Sequence, residues 1–112
     1  MSRAVVDDWF AAFREKDTSK LRLADDFVHA SPFGEIHGAR AYRELVEENA
    51  DAFFGASIDI EVVLECGGKY AVRYLVNGSP ACDCFEVRDG QIARIYSYYH
   101  VGNPPPQYDE WD

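Results

Sequence analysis

The sequence predicts an α+β fold: a curved antiparallel sheet, cone-like, with N-terminal helices packed on its concave face. Three observations carry this. Helix-type periodicity fills the first half of the chain and strand-type alternation the second, an order that gathers helices on one face of an antiparallel sheet. Four long strand-like segments follow one another between turn dipeptides, which makes a meander. Two or three helices cannot cover four long strands completely, which leaves room for a pocket between the layers. The 112 residues, 47% hydrophobic and 28% charged, suffice for one domain with a real core. Residues 1–102 are read as that domain. Residues 103–112, with Pro104, Pro105, Pro106 and acidic side chains, are read as an extended tail.

Each element has its own signal. Val6, Trp9, Phe10 and Phe13 stand at i, i+3, i+4, i+7 and predict an amphipathic helix over residues 2–16. Asp17 or Thr18 caps a second short helix that runs through Lys20 to Leu23. Phe27 to Ser31 reads as a short strand broken by Pro32-Phe33-Gly34, with His29 and Ser31 on one face. The longest helix is predicted over residues 39–54, burying Tyr42, Leu45, Val46 and Phe53 and ending at Gly55. Residues 57–66 alternate, which predicts Ile58, Ile60, Val62 and Leu64 inward. After Gly67-Gly68, residues Tyr70, Val72, Tyr74 and Val76 share a face, and Asn77-Gly78 makes the next turn.

The stretch 80–100 organises the rest. Alternation sets Asp83, Phe85 and Val87 on one face, with Cys82, Cys84 and Glu86 on the other. A carboxylate sharing a face with Phe and Val is expected to be buried, and a buried carboxylate needs a partner or a raised pKa; it marks a candidate site. A two-residue Asp89-Gly90 turn would place Tyr96 opposite Asp83. A three-residue loop, with Gly90 as a left-handed bulge residue, brings Ile95 opposite instead. The second is preferred, because it groups Ala93, Ile95, Ser97 and Tyr99 with Asp83 and sends Arg94 to the Glu86 face.

Composition excludes several classes. A net charge of -9 without a basic cluster argues against nucleic acid and against an anionic membrane surface. No apolar run approaches transmembrane length, and the N-terminus lacks a signal-peptide core. Cys66, Cys82 and Cys84 are an odd set without Cys-x-x-Cys spacing, which points to a reduced, cytoplasmic chain. No metal site is expected, because Cys82 and Cys84 would need two further ligands at suitable places and only three His exist. No cofactor is expected, since phosphate-loop and dinucleotide motifs are lacking.

Three stretches together resemble the nuclear transport factor 2-like superfamily, in particular its SnoaL-like and ketosteroid-isomerase-like branch. They are Trp9-Phe10-Ala11-Ala12-Phe13 before Lys16-Asp17; Leu23-Ala24-Asp25-Asp26-Phe27 running into Ser31-Pro32-Phe33-Gly34, with Gly38 opening the long helix; and Cys82-Asp83-Cys84-Phe85-Glu86-Val87 before Asp89-Gly90. The isomerase branch uses a base carboxylate in the strand before Pro-x-Gly, plus an oxyanion hole made by a helix-1 Tyr and a protonated late-strand Asp. The resemblance implies that Asp83 keeps the late-strand acid, while Ser31 stands at the base position and Trp9 at the Tyr position. A serine hydroxyl does not shuttle protons unaided, so steroid isomerisation by that route is not expected. The polyketide-cyclase members imply a simpler site, with one pocket Asp as acid and base; Asp83 fits that role. His29, on the Ser31 face, is the other candidate catalytic group. His37 and His100 read as structural or exposed.

The expectation is a pocket protein with Asp83 and His29 as catalytic residues and Trp9, Ser31, Phe33, Tyr74, Phe85, Ile95 and Tyr99 as substrate-binding walls. Its chemistry is read as proton transfer next to a carbonyl, of isomerase, aldol cyclase or hydratase type, on an apolar cyclic or polyketide-like molecule. A non-catalytic module for an apolar ligand, or a structural dimerisation domain, is the alternative. The convex sheet face, with Cys82, Cys84, Arg94, Tyr96 and Tyr98, is the expected homodimer surface.

Overall fold

The computed structural model describes residues 2–99. The tail 103–112 and His100 lie outside the described residues. Helix α1 (Ser2–Glu15) is followed by a 3-10 turn (Thr18–Lys20) and strands β1 (Leu23–Ser31) and β2 (Gly34–His37). Helices α2 (Ala39–Glu48) and α3 (Ala50–Phe53) come next, then strands β3 (Ile58–Cys66), β4 (Lys69–Val76), β5 (Ser79–Arg88) and β6 (Gln91–Tyr99). The architecture is the α+β layer arrangement expected. All six strands form one sheet in the order β2-β1-β6-β5-β4-β3. The meander β3 to β6 is antiparallel throughout, as the turn dipeptides require. At the far side β1 runs parallel to β6, so the sheet as a whole is mixed. None of the described helices is long and apolar enough to cross a membrane.

The core lies between the sheet and α1 and α2. Val6, Trp9, Phe10 and Phe13 are buried, as their spacing demands, and Val5 and Ala12 join them. α1 packs on β5 and β6, while α2 packs on β1 and β2. Trp9 is the hub: its ring meets Phe13 at 5.0 Å, Tyr42 at 5.5 Å and Phe85 at 5.9 Å between centroids. Such edge and offset contacts add about 1 kcal/mol each to the burial of ring area.

Several elements differ from the sequence reading, each for a local reason. The second short helix is one 3-10 turn, capped at Asp17, whose carboxylate accepts the Ser19 N–H at 3.0 Å; Leu23 already begins a strand. The long helix breaks at Asn49, which leaves helical geometry (φ -121) and donates its side-chain amide to the Leu45 carbonyl at 2.9 Å. Strand β2 was not anticipated; Ser31 pairs with Gly34 across the tight turn at Pro32-Phe33.

The two decisive differences are bulges. The β5–β6 turn has two residues, not three: Arg88 pairs with Gln91, and Asp89 (φ 54) and Gly90 (φ 73) both adopt the left-handed backbone of a type I′ turn. A bulge one step further on then leaves Ala93 unpaired, since Val87 pairs with Ile92 and Glu86 with Arg94. The combination restores Ile95, Ser97 and Tyr99 to the Asp83 face, as expected, but the residue opposite Asp83 is Ser97 rather than Ile95. On β3 a bulge at Glu61 reverses the alternation beyond Ile60. Val63 therefore packs on the core and Leu64, expected inward, is 64% exposed.

These positions separate two phenylalanines of similar sequence appearance. Phe85 is fully buried against Trp9 and Phe10, whereas Phe33 at the turn is 76% exposed. Phe85→Ala is expected to cost about 3–5 kcal/mol in urea denaturation, and Phe33→Ala less than about 0.5 kcal/mol. Equal losses would refute this packing.

Candidate functional site

A cavity of about 230 Å³ opens between the concave face and the helices. α1 contributes Trp9, Phe10 and Phe13; α2 contributes Tyr42; α3 contributes Phe53. The sheet contributes His29, Ile58, Tyr74, Ala81, Asp83, Ser97 and Tyr99. Trp9, Phe10, Tyr42, Asp83 and Ser97 are buried, while Phe53, Ile58, Tyr74 and Tyr99 are only half-buried.

The polar groups form one chain of hydrogen bonds. Asp83 is 3% exposed and sits between Val72 on β4 and Ser97 on β6. Tyr74, two residues along β4, reaches diagonally across and donates its hydroxyl to Asp83 Oδ1 at 3.1 Å. The Ser97 hydroxyl is the second partner of the carboxyl group. His29 Nε2 lies 3.1 Å from Ser97 Oγ. With the carboxylate ionised, Ser97 donates to Asp83, so its oxygen accepts from His29, which then carries its proton on Nε2. The register makes this geometry: Ser97 is directly opposite Asp83, and His29 on β1 pairs in parallel with the neighbouring Ile95.

Burial governs the electrostatics. It pushes the Asp83 carboxyl up to about 6, against the pull of the Ser97 and Tyr74 hydroxyls. It pushes His29 down to about 4, which keeps the imidazole neutral. Burial raises Tyr74 and Tyr42 as well, with the Asp83 charge adding to both, so each phenol keeps its proton. Among the described residues no Lys or Arg lines the cavity. Arg14, close by in α1, gives its guanidinium to the Ile58 carbonyl at 3.0 Å.

Of the residues expected in the site, Asp83, His29, Trp9, Tyr74 and Tyr99 line the cavity together. Four do not. Ser31 accepts the Phe33 N–H at 3.1 Å and is spent on the β1–β2 turn. Phe33 is exposed at that turn, its ring 6.1 Å from Tyr99. Phe85 and Ile95 face the concave side but are wholly buried beneath the walls. The sequence reading missed Ser97 and Tyr42 as site residues. Ser97 shares the Asp83 face by alternation, and Tyr42 lies on the buried stripe of a helix, where a phenol needs a polar neighbour. Both signals were available.

A cone-like α+β domain whose apolar cavity has one polar wall is a small-molecule pocket protein of the nuclear transport factor 2-like class. A model of the SnoaL-like domain matches residues 6–95, and the chain belongs to that family. No curated protein matches the chain. Among solved structures, an NTF2-like protein of unknown function from Cytophaga hutchinsonii superposes with a TM-score of 0.77 at 18% identity, covering 89% of this chain and 90% of the other. An LEH-like epoxide hydrolase of M. tuberculosis gives 0.77 at 22% identity, covering 88% and 78%. A Sinorhizobium meliloti protein provisionally named a polyketide cyclase gives 0.70 at 27% identity, covering 83% and 92%.

The two perturbed groups have opposite effects on stability with pH. For Asp83 the folded value, about 6, lies above the ordinary 3.8, so the folded protein holds its proton longer. That contribution to stability is lost as pH rises from about 4 to about 6. For His29 the folded value, about 4, lies below the ordinary 6.5, so the unfolded chain takes up the proton first. Its contribution is gained over nearly the same window. Each amounts to about 3 kcal/mol. Asp83→Asn should therefore grow more stable between about pH 4.5 and about pH 6.5, and His29→Gln less stable, in urea titrations. Slopes of the same sign in both variants would contradict the assignment.

Proposed function

We propose that the protein is an enzyme that moves a proton next to a carbonyl group of a small, largely apolar molecule, with Asp83 as the proton carrier. The observation that supports this is a carboxyl group with its pKa brought to about 6 inside an apolar cavity. A carboxylate near that value takes a proton from carbon beside a carbonyl and returns it as an acid at working pH. The C–H electron pair forms the carbon–carbon double bond and the carbonyl pair moves onto oxygen, giving the enolate. The proton on Asp83 exchanges with solvent, and a proton is then returned from Asp83 to carbon or to the oxygen. Tyr74 and Ser97 hold the carboxylate in place, and His29, neutral, fixes the Ser97 hydroxyl. Conventional ketosteroid isomerisation is not proposed, because Ser31 is committed to a turn and carries no carboxylate. Deuterium exchange at the α-carbon of a ketone, followed by NMR, tests the reading. Asp83→Asn should abolish exchange, and Ser31→Ala should leave it unchanged. The rate should rise with pH through about 6 as the carboxylate ionises. Ser97→Ala removes a hydrogen bond that favours the ionised form, so its profile should shift to higher pH. Exchange that survives Asp83→Asn would sink the proposal.

We also propose a homodimer through the convex face. Cys82 pairs with Tyr98 and Cys84 with Tyr96 on that side, and Tyr98 is 58% exposed. Glu86 and Arg94 pair on the same surface, so a two-fold axis can set the Arg94 row of one copy against Glu86 of the other. Light scattering should give twice the 12.7 kDa chain mass, and Tyr98→Glu should return the monomer. A monomeric parent chain at micromolar concentration would end this proposal.

A further inference from the structure

We infer that the cavity selects a neutral carbonyl compound of a single ring, and rejects fused polycyclic and anionic compounds. The carbonyl rests on the proton-transfer reading above; the limits on size and charge rest on the walls alone. A cavity of roughly 150 Å³ lined by apolar side chains holds benzene, with its six carbons. By the same proportion 230 Å³ holds about nine non-hydrogen atoms, enough for one ring and short substituents.

The inner walls, on the side of α1 and α2, have little room to give. Trp9, Phe10 and Tyr42 are all buried. Trp9 stacks on Tyr42 at 5.5 Å, and Phe10 meets Tyr74 edge-on at 5.1 Å. Widening the cavity for fused rings would separate these pairs and displace core side chains, which a close-packed interior resists. Polarity is equally one-sided. Tyr74, Asp83, Ser97 and His29 are linked into one polar wall, facing aromatic rings from the helices. A ligand therefore carries one polar end and one hydrocarbon end.

Charge follows from what the lining contains. Among the described residues its side chains include one carboxyl group and no Lys or Arg, and the whole chain carries -9. An anionic ligand would lose its hydration without gaining a counter-charge, beside a carboxyl that is itself half ionised near pH 6. An ammonium ligand would pair with Asp83 and lock it ionised, which would stop the proton shuttle.

The test is a binding series on the full chain carrying Trp111→Phe, which leaves Trp9 as its one tryptophan, in the cavity wall. Trp9 fluorescence and calorimetry are followed with 2-cyclohexenone, an unsaturated four-ring ketosteroid, cyclohexanecarboxylate and cyclohexylammonium at neutral pH. The expected result is binding of the one-ring ketone at least about tenfold tighter than the ketosteroid and the carboxylate, with cyclohexylammonium bound through Asp83. A ketosteroid that binds as well overturns the size limit. A carboxylate that binds as well overturns the rejection of anions, and binding by none of the four overturns the inference entirely. Deuterium exchange in the same samples separates the two readings. Binding of the one-ring ketone without exchange sinks proton transfer and leaves the size and charge limits standing. Exchange of the ketosteroid alone does the reverse.

Discussion

One constraint shapes the site: a carboxyl group is held in apolar surroundings with no Lys or Arg beside it among the described residues. Removing an ionised carboxylate from water costs several kcal/mol unless other groups replace its hydration. Here two hydroxyls do so in part, Tyr74 from β4 and Ser97 from β6. What they leave uncompensated appears as a raised pKa and a proton that is easily exchanged. His29 meets the same surroundings from the opposite sign and stays neutral. A cation in either place would have fixed Asp83 as a permanent anion and left it inert.

How much of this was legible in the sequence depends on the range over which each residue is specified. The burial of Asp83 was legible, because its neighbours Phe85 and Val87 set the face within one strand. The α1 stripe was legible for the same reason. The partner opposite Asp83 was not, since it depends on the turn and the bulge together: the turn came out one residue shorter than expected and the bulge at Ala93 restored the face. Glu61 on β3 shows the other outcome. A single unpaired residue there sends Leu64 out and Val63 in, although the alternation of residues 57–66 looks unbroken on paper. Bulges arise from pairing with the neighbouring strand and leave little trace in the strand's own composition.

The hydroxyls illustrate a second limit. Ser31 stood at the position implied by the family likeness, yet its oxygen caps a turn. Ser97 lay on a strand with no motif, and cross-strand pairing gives it the central place in the polar chain. The SnoaL-like match, residues 6–95, includes Ser31 and stops short of Ser97. What a fold of this kind does is set by the side chains pointed into its cavity rather than by its backbone.

The place of β6 in the sheet has a consequence for biosynthesis. Although it is the final strand of the described chain, it lies between β1 and β5, in the middle of the sheet. While the ribosome is still making residues 91–99, β1 and β2 can form only a separate two-stranded ribbon, and β3 to β5 a separate meander. Neither piece encloses a cavity, because the contact between His29 and Ser97 closes a loop of 68 residues. Contacts of that span form late and slow the search for the native topology. The polar wall is therefore completed only when β6 is paired on both sides, with β1 and with β5.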